Sequence, residues 1–147
     1  MLNKPIPYGR QEIDAADIKT VVETLQSDFL TQGPKIEEFE KKFADYIGAK
    51  YAVAVNNGTT ALHISALSLG VNSTTKVITT PITFAASANC ITYCGGEIEF
   101  ADIDPSTAFI DLDKVEDLVK KNPKAYSGVI PVDFAGYPVN LEDLKKL

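Results

Sequence analysis

The run Tyr51-Ala52-Val53-Ala54-Val55 carries no charged side chain and passes through Asn56 into Asn57-Gly58-Thr59-Thr60. A short continuous apolar run of this kind suits a strand buried on both faces of a parallel sheet. Parallel strands need crossover connections, so such a strand commits the chain to alternating strands and helices. The rest of the sequence keeps to that commitment. Gly58 opens a helix that is apolar nearly all round through Leu69 and stops at Gly70. A strand follows at 76–79, then a turn at Pro81, a helix near 84–94 and a stop at Gly95-Gly96. The pattern of 97–103 alternates as a strand, Asp104-Pro105 makes a turn, a helix starts at Asp113 with Val115, Leu118 and Val119 inward, and 128–132 reads as the next strand. The expected architecture is α/β, a mainly parallel sheet with helices on both faces and right-handed crossovers.

Two helices precede this array. Asp14 is placed to cap the first, with Asp17 as the N3 partner of a capping box and Ile18, Val21, Val22 and Leu25 as the apolar stripe. In the second, Ile36, Phe39, Phe43 and Ile47 share a face, and Gly48 stands where a left-handed terminating residue belongs. The last signal is Asn140, the N-cap of a helix beginning at Leu141. Only about two turns remain before Leu147, which suggests an interrupted crossover.

Composition narrows the function. At 147 residues and 45% hydrophobic content, one domain is the default. Twenty acidic residues against fourteen basic give a net charge of −6, without a Lys/Arg stripe, which argues against nucleic acid. Cys90 and Cys94 fit neither a C-x-x-C redox pair nor a disulfide scaffold and read as buried, reduced thiols. The segment 1–10 has neither signal-peptide nor anchor character, and no apolar run is long enough to span a bilayer, so no membrane partner and a cytoplasmic location are expected.

The chemistry concentrates after two strands. A strand that turns through Asn57-Gly58 into a helix aims unpaired N–H groups and the positive end of the helix dipole at one spot, and Thr59 and Thr60 add hydroxyls. An anion, phosphate in particular, fits there. The plainer reading is an ordinary Asn-Gly turn with Thr in the first helical turn. Thr79-Thr80-Pro81-Ile82-Thr83-Phe84 follows the next strand and belongs at the same C-terminal sheet edge, where ligands of open α/β folds bind. Phe84 can present its ring to a flat cofactor or serve as core. His63, the single histidine, reads as a packing residue. Asp102, Asp104 and Asp111 suit turn chemistry, and Asp133 suits either a cleft or a loop cap.

In order along the chain, Pro7-Tyr8, Asp28-Phe29-Leu30-Thr31-Gln32-Gly33-Pro34, Phe39-Glu40, Asn57 to His63, Thr80 to Phe84, Asp102-Ile103-Asp104 and Pro131 to Gly136 resemble the DegT/DnrJ/EryC1/StrS sugar-nucleotide aminotransferases. Within that family the Leu-Thr-Gln-Gly loop resembles the 4-keto-sugar enzymes of pseudaminic acid formation. The resemblance implies a type I pyridoxal-phosphate fold, with residues 1–147 as the N-terminal part of its large, cofactor-binding domain. It implies that Gly58, Thr59 and Thr60 hold the phosphate of pyridoxal 5'-phosphate, that Phe84 stacks on its ring, and that Tyr8, Asp28, Phe29, Leu30 and Thr31 meet the sugar nucleotide or a neighbouring subunit of a homodimer. Glutamate is the implied amino donor. Family members carry the cofactor-anchoring lysine and the pyridinium-facing aspartate, with the small C-terminal domain, beyond the region matching Leu147. These residues alone are therefore expected to be inactive. A histidine in place of that lysine would imply a sugar dehydratase. The competing readings are a stand-alone phosphate-binding α/β module or pseudoenzyme, and one half of a split enzyme.

Overall fold

The computed structural model describes residues 9–147, so Tyr8 lies outside the described residues. The chain divides into two units, Met1–Ala54 and Val55–Leu147.

In the first unit, helix α1 spans Ala15–Leu25 and α2 spans Pro34–Ile47. The expected capping box is complete. Asp14 Oδ1 accepts from the N–H groups of Ala16 and Asp17 at 2.7 and 2.9 Å, and Asp17 Oδ2 accepts from the Asp14 N–H at 3.0 Å. Pro34 starts α2, where its missing N–H costs nothing, and Gly48 ends it in the left-handed region at φ 71. The two apolar stripes form as expected, yet Ile18, Leu25, Phe39 and Ile47 are all exposed and only Ala44 of α2 is buried.

The second unit holds helix α3 (Gly58–Ser68), strand β1 (Lys76–Thr79), helix α4 (Ala86–Tyr93), strand β2 (Glu97–Phe100), helix α5 (Leu112–Lys121), strand β3 (Gly128–Val129), a 3-10 turn (Phe134–Gly136) and helix α6 (Leu141–Leu144). The sheet order is β2-β1-β3, and both pairings are parallel. Side chains of β1 alternate between two cores. Val77 packs with Ala66 of α3 and with Cys90 and Ile91 of α4, whereas Ile78 packs with Ala101, Ile110, Val115 of α5 and Val139. Helices thus cover both faces, as the alternation required.

Several expectations change. The run 51–55 forms no strand. Its side chains at Tyr51 and Val53 are exposed, and the Ala54 N–H donates to Glu40 Oε1 at 2.8 Å. A strand exists only by pairing, and among the described residues nothing pairs with this one. The expected strand at 97–103 ends at Phe100, because Asp102 Oδ1 takes the Ile103 N–H and Ile103 bridges Ile110 in the antiparallel sense. That at 128–132 is also short. The last rung between β1 and β3 is Ile130 N–H to Ile78 O at 2.8 Å, and Pro131 has no N–H to donate. The helix expected from Asp113 begins one residue earlier, with Asp111 as its cap, and α4 begins at Ala86, after Phe84. Finally, α3 is not buried all round. Ala66 is buried against α4 and β1, while Ile64 and Leu67 are exposed.

Candidate functional site

The sheet order creates a crevice. The connection from β1 through α4 leads to β2 on one side of β1, and the connection from β2 through α5 returns past β1 to β3 on its other side. Strand order reverses at β1, and ligands of open α/β sheets bind at the carboxyl ends of the strands flanking such a reversal. Here those ends are Thr79-Thr80 and Ile130-Pro131. A helix that feeds a parallel strand through a short loop runs antiparallel to it, so α3, which feeds β1, starts at this same edge.

The start of α3 is built by two asparagines. Asn57 is extended, at φ −167 and ψ 168, and its Oδ1 accepts from the Thr60 N–H at 2.8 Å. The Thr60 hydroxyl donates to Asn56 Oδ1 at 2.8 Å. The Ala61 N–H makes the first intrahelical bond, to Asn57 O. What remains is the Gly58 N–H, the Thr59 N–H and the Thr59 hydroxyl, none of which has a partner among the described residues. A Cβ built on Gly58 would meet nothing within 4 Å, so the space in front of these donors is open. Two amides, a hydroxyl and the helix dipole form a fitting receptor for a phosphate group. The donors of Thr60, one of the three residues expected to hold that phosphate, are spent locally, and this fixes the turn.

Phe84 stands in the link from β1 to α4 and is 79% exposed. It is therefore not core, and its ring is free to meet a flat partner. α4 packs directly on α3, which brings the cradle and the link carrying Phe84 into one neighbourhood. Thr79 and Thr80 are both fully buried at the end of β1. The Thr79 hydroxyl donates to Ile130 O at 2.9 Å, while the Thr80 hydroxyl has no partner among the described residues. Thr80 escapes sequence reasoning, because satisfaction of a hydroxyl depends on non-local geometry. The available signal was a Thr-Thr pair closing an apolar strand.

The remaining candidates take structural places. Asp133 Oδ1 accepts from the Val139 N–H at 2.9 Å and so ties its own loop. Asp104 accepts from the Ser106 hydroxyl and N–H, which hold its carboxyl below the usual range. Asp111 caps α5. His63 packs edge-on against Tyr93 with ring centroids 5.4 Å apart. Cys90 is buried, which raises its thiol pKa, and its Sγ donates to Ser87 O; Cys94 is only half-buried, and both are free thiols. Among the described residues no His/Cys/Asp/Glu group suits a metal ion, and no helix is long and apolar enough to cross a membrane.

In the first unit, the loop carrying Asp28, Phe29, Leu30 and Thr31 is tightly wound. Ser27 Oγ reaches Phe29 O at 3.2 Å, and Gln32 adopts φ 52. A Cβ on Gly33 would fall 2.7 Å from Phe29 O, so only glycine fits there. Phe29, Gln32, Gly33, Pro34, Ile36, Glu37 and Glu40 line an open groove of about 480 Å³. Asp28, Leu30 and Thr31 are exposed beside it in sequence.

The model of the DegT/DnrJ/EryC1/StrS aminotransferase family matches residues 11–147. A UDP-4-amino-4,6-dideoxy-N-acetyl-beta-L-altrosamine transaminase of Campylobacter jejuni is 38% identical over 142 residues, covering 97% of this chain and 37% of that protein. Among solved structures, Helicobacter pylori PseC, an aminotransferase of pseudaminic acid biosynthesis, superposes with a TM-score of 0.84 at 32% identity, over 97% of this chain and 38% of its own. Spr1654 of Streptococcus pneumoniae in its PLP form superposes with a TM-score of 0.84 at 31% identity, over 96% and 35%. The chain spans between 35% and 37% of the length of the relatives it matches.

Proposed function

The chain belongs to the DegT/DnrJ/EryC1/StrS aminotransferase family, and on that premise we propose that the whole protein transfers an amino group to a 4-keto-6-deoxy sugar carried on UDP, with glutamate as donor. The fold is that of the type I pyridoxal-phosphate-dependent sugar aminotransferases. One observation carries the reading at the level of this chain: the Gly58 and Thr59 amides and the Thr59 hydroxyl at the start of α3 have no partner among the described residues, and the exposed ring of Phe84 stands just before α4, which packs on α3.

In this reading Gly58 and Thr59 bind the phosphate of pyridoxal 5'-phosphate, and Thr60, through Asn56 and Asn57, keeps the turn in shape. Phe84 covers the ring and shields it from water, a contact of about 0.5–1.5 kcal/mol beyond area burial. When bound, the cofactor supplies an electron sink that lets nitrogen move between carbon centres. The net exchange turns glutamate into 2-oxoglutarate and the C4 ketone of the sugar into an amine. Asp28 to Thr31, with Tyr8, meet the sugar nucleotide or a second subunit of a homodimer. Lys76, Lys114 and Lys124 are placed for other work. Lys76 stands at the opposite end of β1 from the crevice and is bound to Glu97 and Glu99 at 2.8 and 2.7 Å. Lys114 lies on α5, and Lys124 lies in the loop after it at φ 75. Residues 1–147 thus supply the cradle and the stacking ring but not the anchoring lysine, and the isolated segment is inactive.

The test is to give the whole protein pyridoxal 5'-phosphate, glutamate and a UDP-4-keto-6-deoxy sugar and to follow 2-oxoglutarate together with the aminated sugar by mass. Stoichiometric formation of both is expected. Loss of the sugar's hydroxyl as water in place of amination would replace this reading with that of a dehydratase. Saturable cofactor binding with no turnover would leave a phosphate-ligand-binding module.

A further inference from the structure

Thr79 and Thr80 are neighbours at the end of β1, both fully buried, and they differ in one respect. The Thr79 hydroxyl bridges to Ile130 O at 2.9 Å. The Thr80 hydroxyl, equally sealed, meets no partner among the described residues. Valine would fill the same volume without a polar atom, so nothing in the packing accounts for a hydroxyl here, and a buried unpaired hydroxyl lowers stability. Native proteins leave few such groups, and those they keep commonly belong to function.

Thr80 directly follows β1, and the strand's alternation carried one residue further puts it on the same face as Ile78, one step nearer the crevice. Ile78 packs with Ala101 and Val139 on that face. Val139 closes the loop that leaves β3, tied by Asp133 Oδ1, and within this loop Ala135 sits at φ 55 and ψ 22. An alanine in the left-handed region is strained. An unsatisfied hydroxyl and the anchored end of a loop that contains a strained alanine therefore share this face, next to the strand reversal.

We propose that Thr80 is a positioning residue for the ligand of this crevice. Filling the crevice shifts the strained loop after β3 and gives the Thr80 hydroxyl the hydrogen bond it lacks, so that ligand binding and local order are coupled. The inference rests on the reading that the crevice takes pyridoxal 5'-phosphate.

The experiment compares the whole wild-type protein with Thr80→Val, Thr80→Ser and Thr79→Val. It records the melting temperature without cofactor and the affinity for pyridoxal 5'-phosphate by absorbance titration. Without cofactor, Thr79→Val is expected to melt lower, since it orphans a made bond, whereas Thr80→Val melts at the wild-type temperature or above. With cofactor, Thr80→Val binds about three- to tenfold more weakly, the range for one lost hydrogen bond, and Thr80→Ser recovers the affinity. A lower melting temperature or failure to fold for Thr80→Val without cofactor would mean that the hydroxyl already has a structural partner, such as an interior water, and would overturn the proposal. Unchanged affinity in Thr80→Val would overturn it too. If the wild type itself fails to bind pyridoxal 5'-phosphate, the reading of the crevice fails first and the role of Thr80 falls with it.

Discussion

The two units of this chain obey the same local rules and reach different ends. In Met1–Ala54 a capping box starts α1, Pro34 and Gly48 bound α2 and the apolar stripes have the right spacing, yet of the residues on α1 and α2 only Ala44 is buried. In Val55–Leu147 the helices are capped in the same way, Asn57, Asp111 and Asn140 holding the starts of α3, α5 and α6 while α4 has no side-chain cap, but two closed cores grip β1 from both faces. Capping decides where a helix starts and stops, whereas burial decides whether it is held. The first unit is written by local signals and the second by pairing across the chain.

The largest expected effect separates them directly. Ile78→Ala empties a fully buried position between α5 and the sheet and should cost about 2–5 kcal/mol. Ile18→Ala removes a side chain that is 58% exposed on α1 and should stay within about 0.5 kcal/mol. Urea unfolding of the two variants gives the ratio. Equal losses would mean that the stripe of α1 is covered in the whole protein, and the contrast between the units would then belong to residues 1–147 alone.

Legibility in the sequence follows the same division. The capping box at Asp14 and Asp17, the terminator Gly48, the cap Asn140 and the strand at Lys76–Thr79 were all readable because each is fixed by a few neighbouring residues. The run 51–55 misled because its apolar pattern says what it wants without saying what is there to pair with. The strand patterns of 97–103 and 128–132 run past the ends of β2 and β3, since Asp102 and Pro131 end those strands through backbone chemistry that hydropathy does not register. At the site, the turn at Asn57-Gly58 was legible as a donor cluster, but the consumption of both Thr60 donors by Asn56 and Asn57 was not. Nor could a pattern distinguish Thr79 from Thr80, which differ only in whether a carbonyl two strands' connections away lies within reach.

A smaller effect tests how tightly the second unit is closed. A Cβ on Gly96 would lie 2.9 Å from Val71 Cγ1 and 3.0 Å from Ile91 Cγ2, and Ile91 is fully buried. Gly96→Ala should therefore cost about 1–3 kcal/mol by overpacking. No change would show that the core under α4 can yield, and would bring it closer to the loose first unit. In that first unit the matching change is Asp14→Ala, which orphans the N–H groups of Ala16 and Asp17. It should cost about 1 kcal/mol and appear as faster amide exchange confined to the first turn of α1. Exchange that spreads through α1 and α2 together would reveal cooperativity that their separate exposed faces do not suggest.

The smallest effect concerns the polar face of α2. Hydrogen bonds from Lys35 and Lys42, at 2.8 and 2.7 Å, lower the Glu38 carboxyl to about 2. Its unfolded value is about 4.3. Because the folded value is the lower one, the contribution of this triad is fully present above about pH 4.3 and is lost as pH falls through about 2. All three side chains are well exposed, so salt screens the interaction and little of the shift reaches global stability. The check is a carboxyl chemical-shift titration. Glu38 should titrate near 2, and replacing both lysines by methionine should bring it back towards 4.3, with the melting temperature scarcely altered. A clear fall in melting temperature with the double replacement would mean that the charged face of α2 holds more than its own helix, and that the first unit, too, depends on contacts its local sequence does not announce.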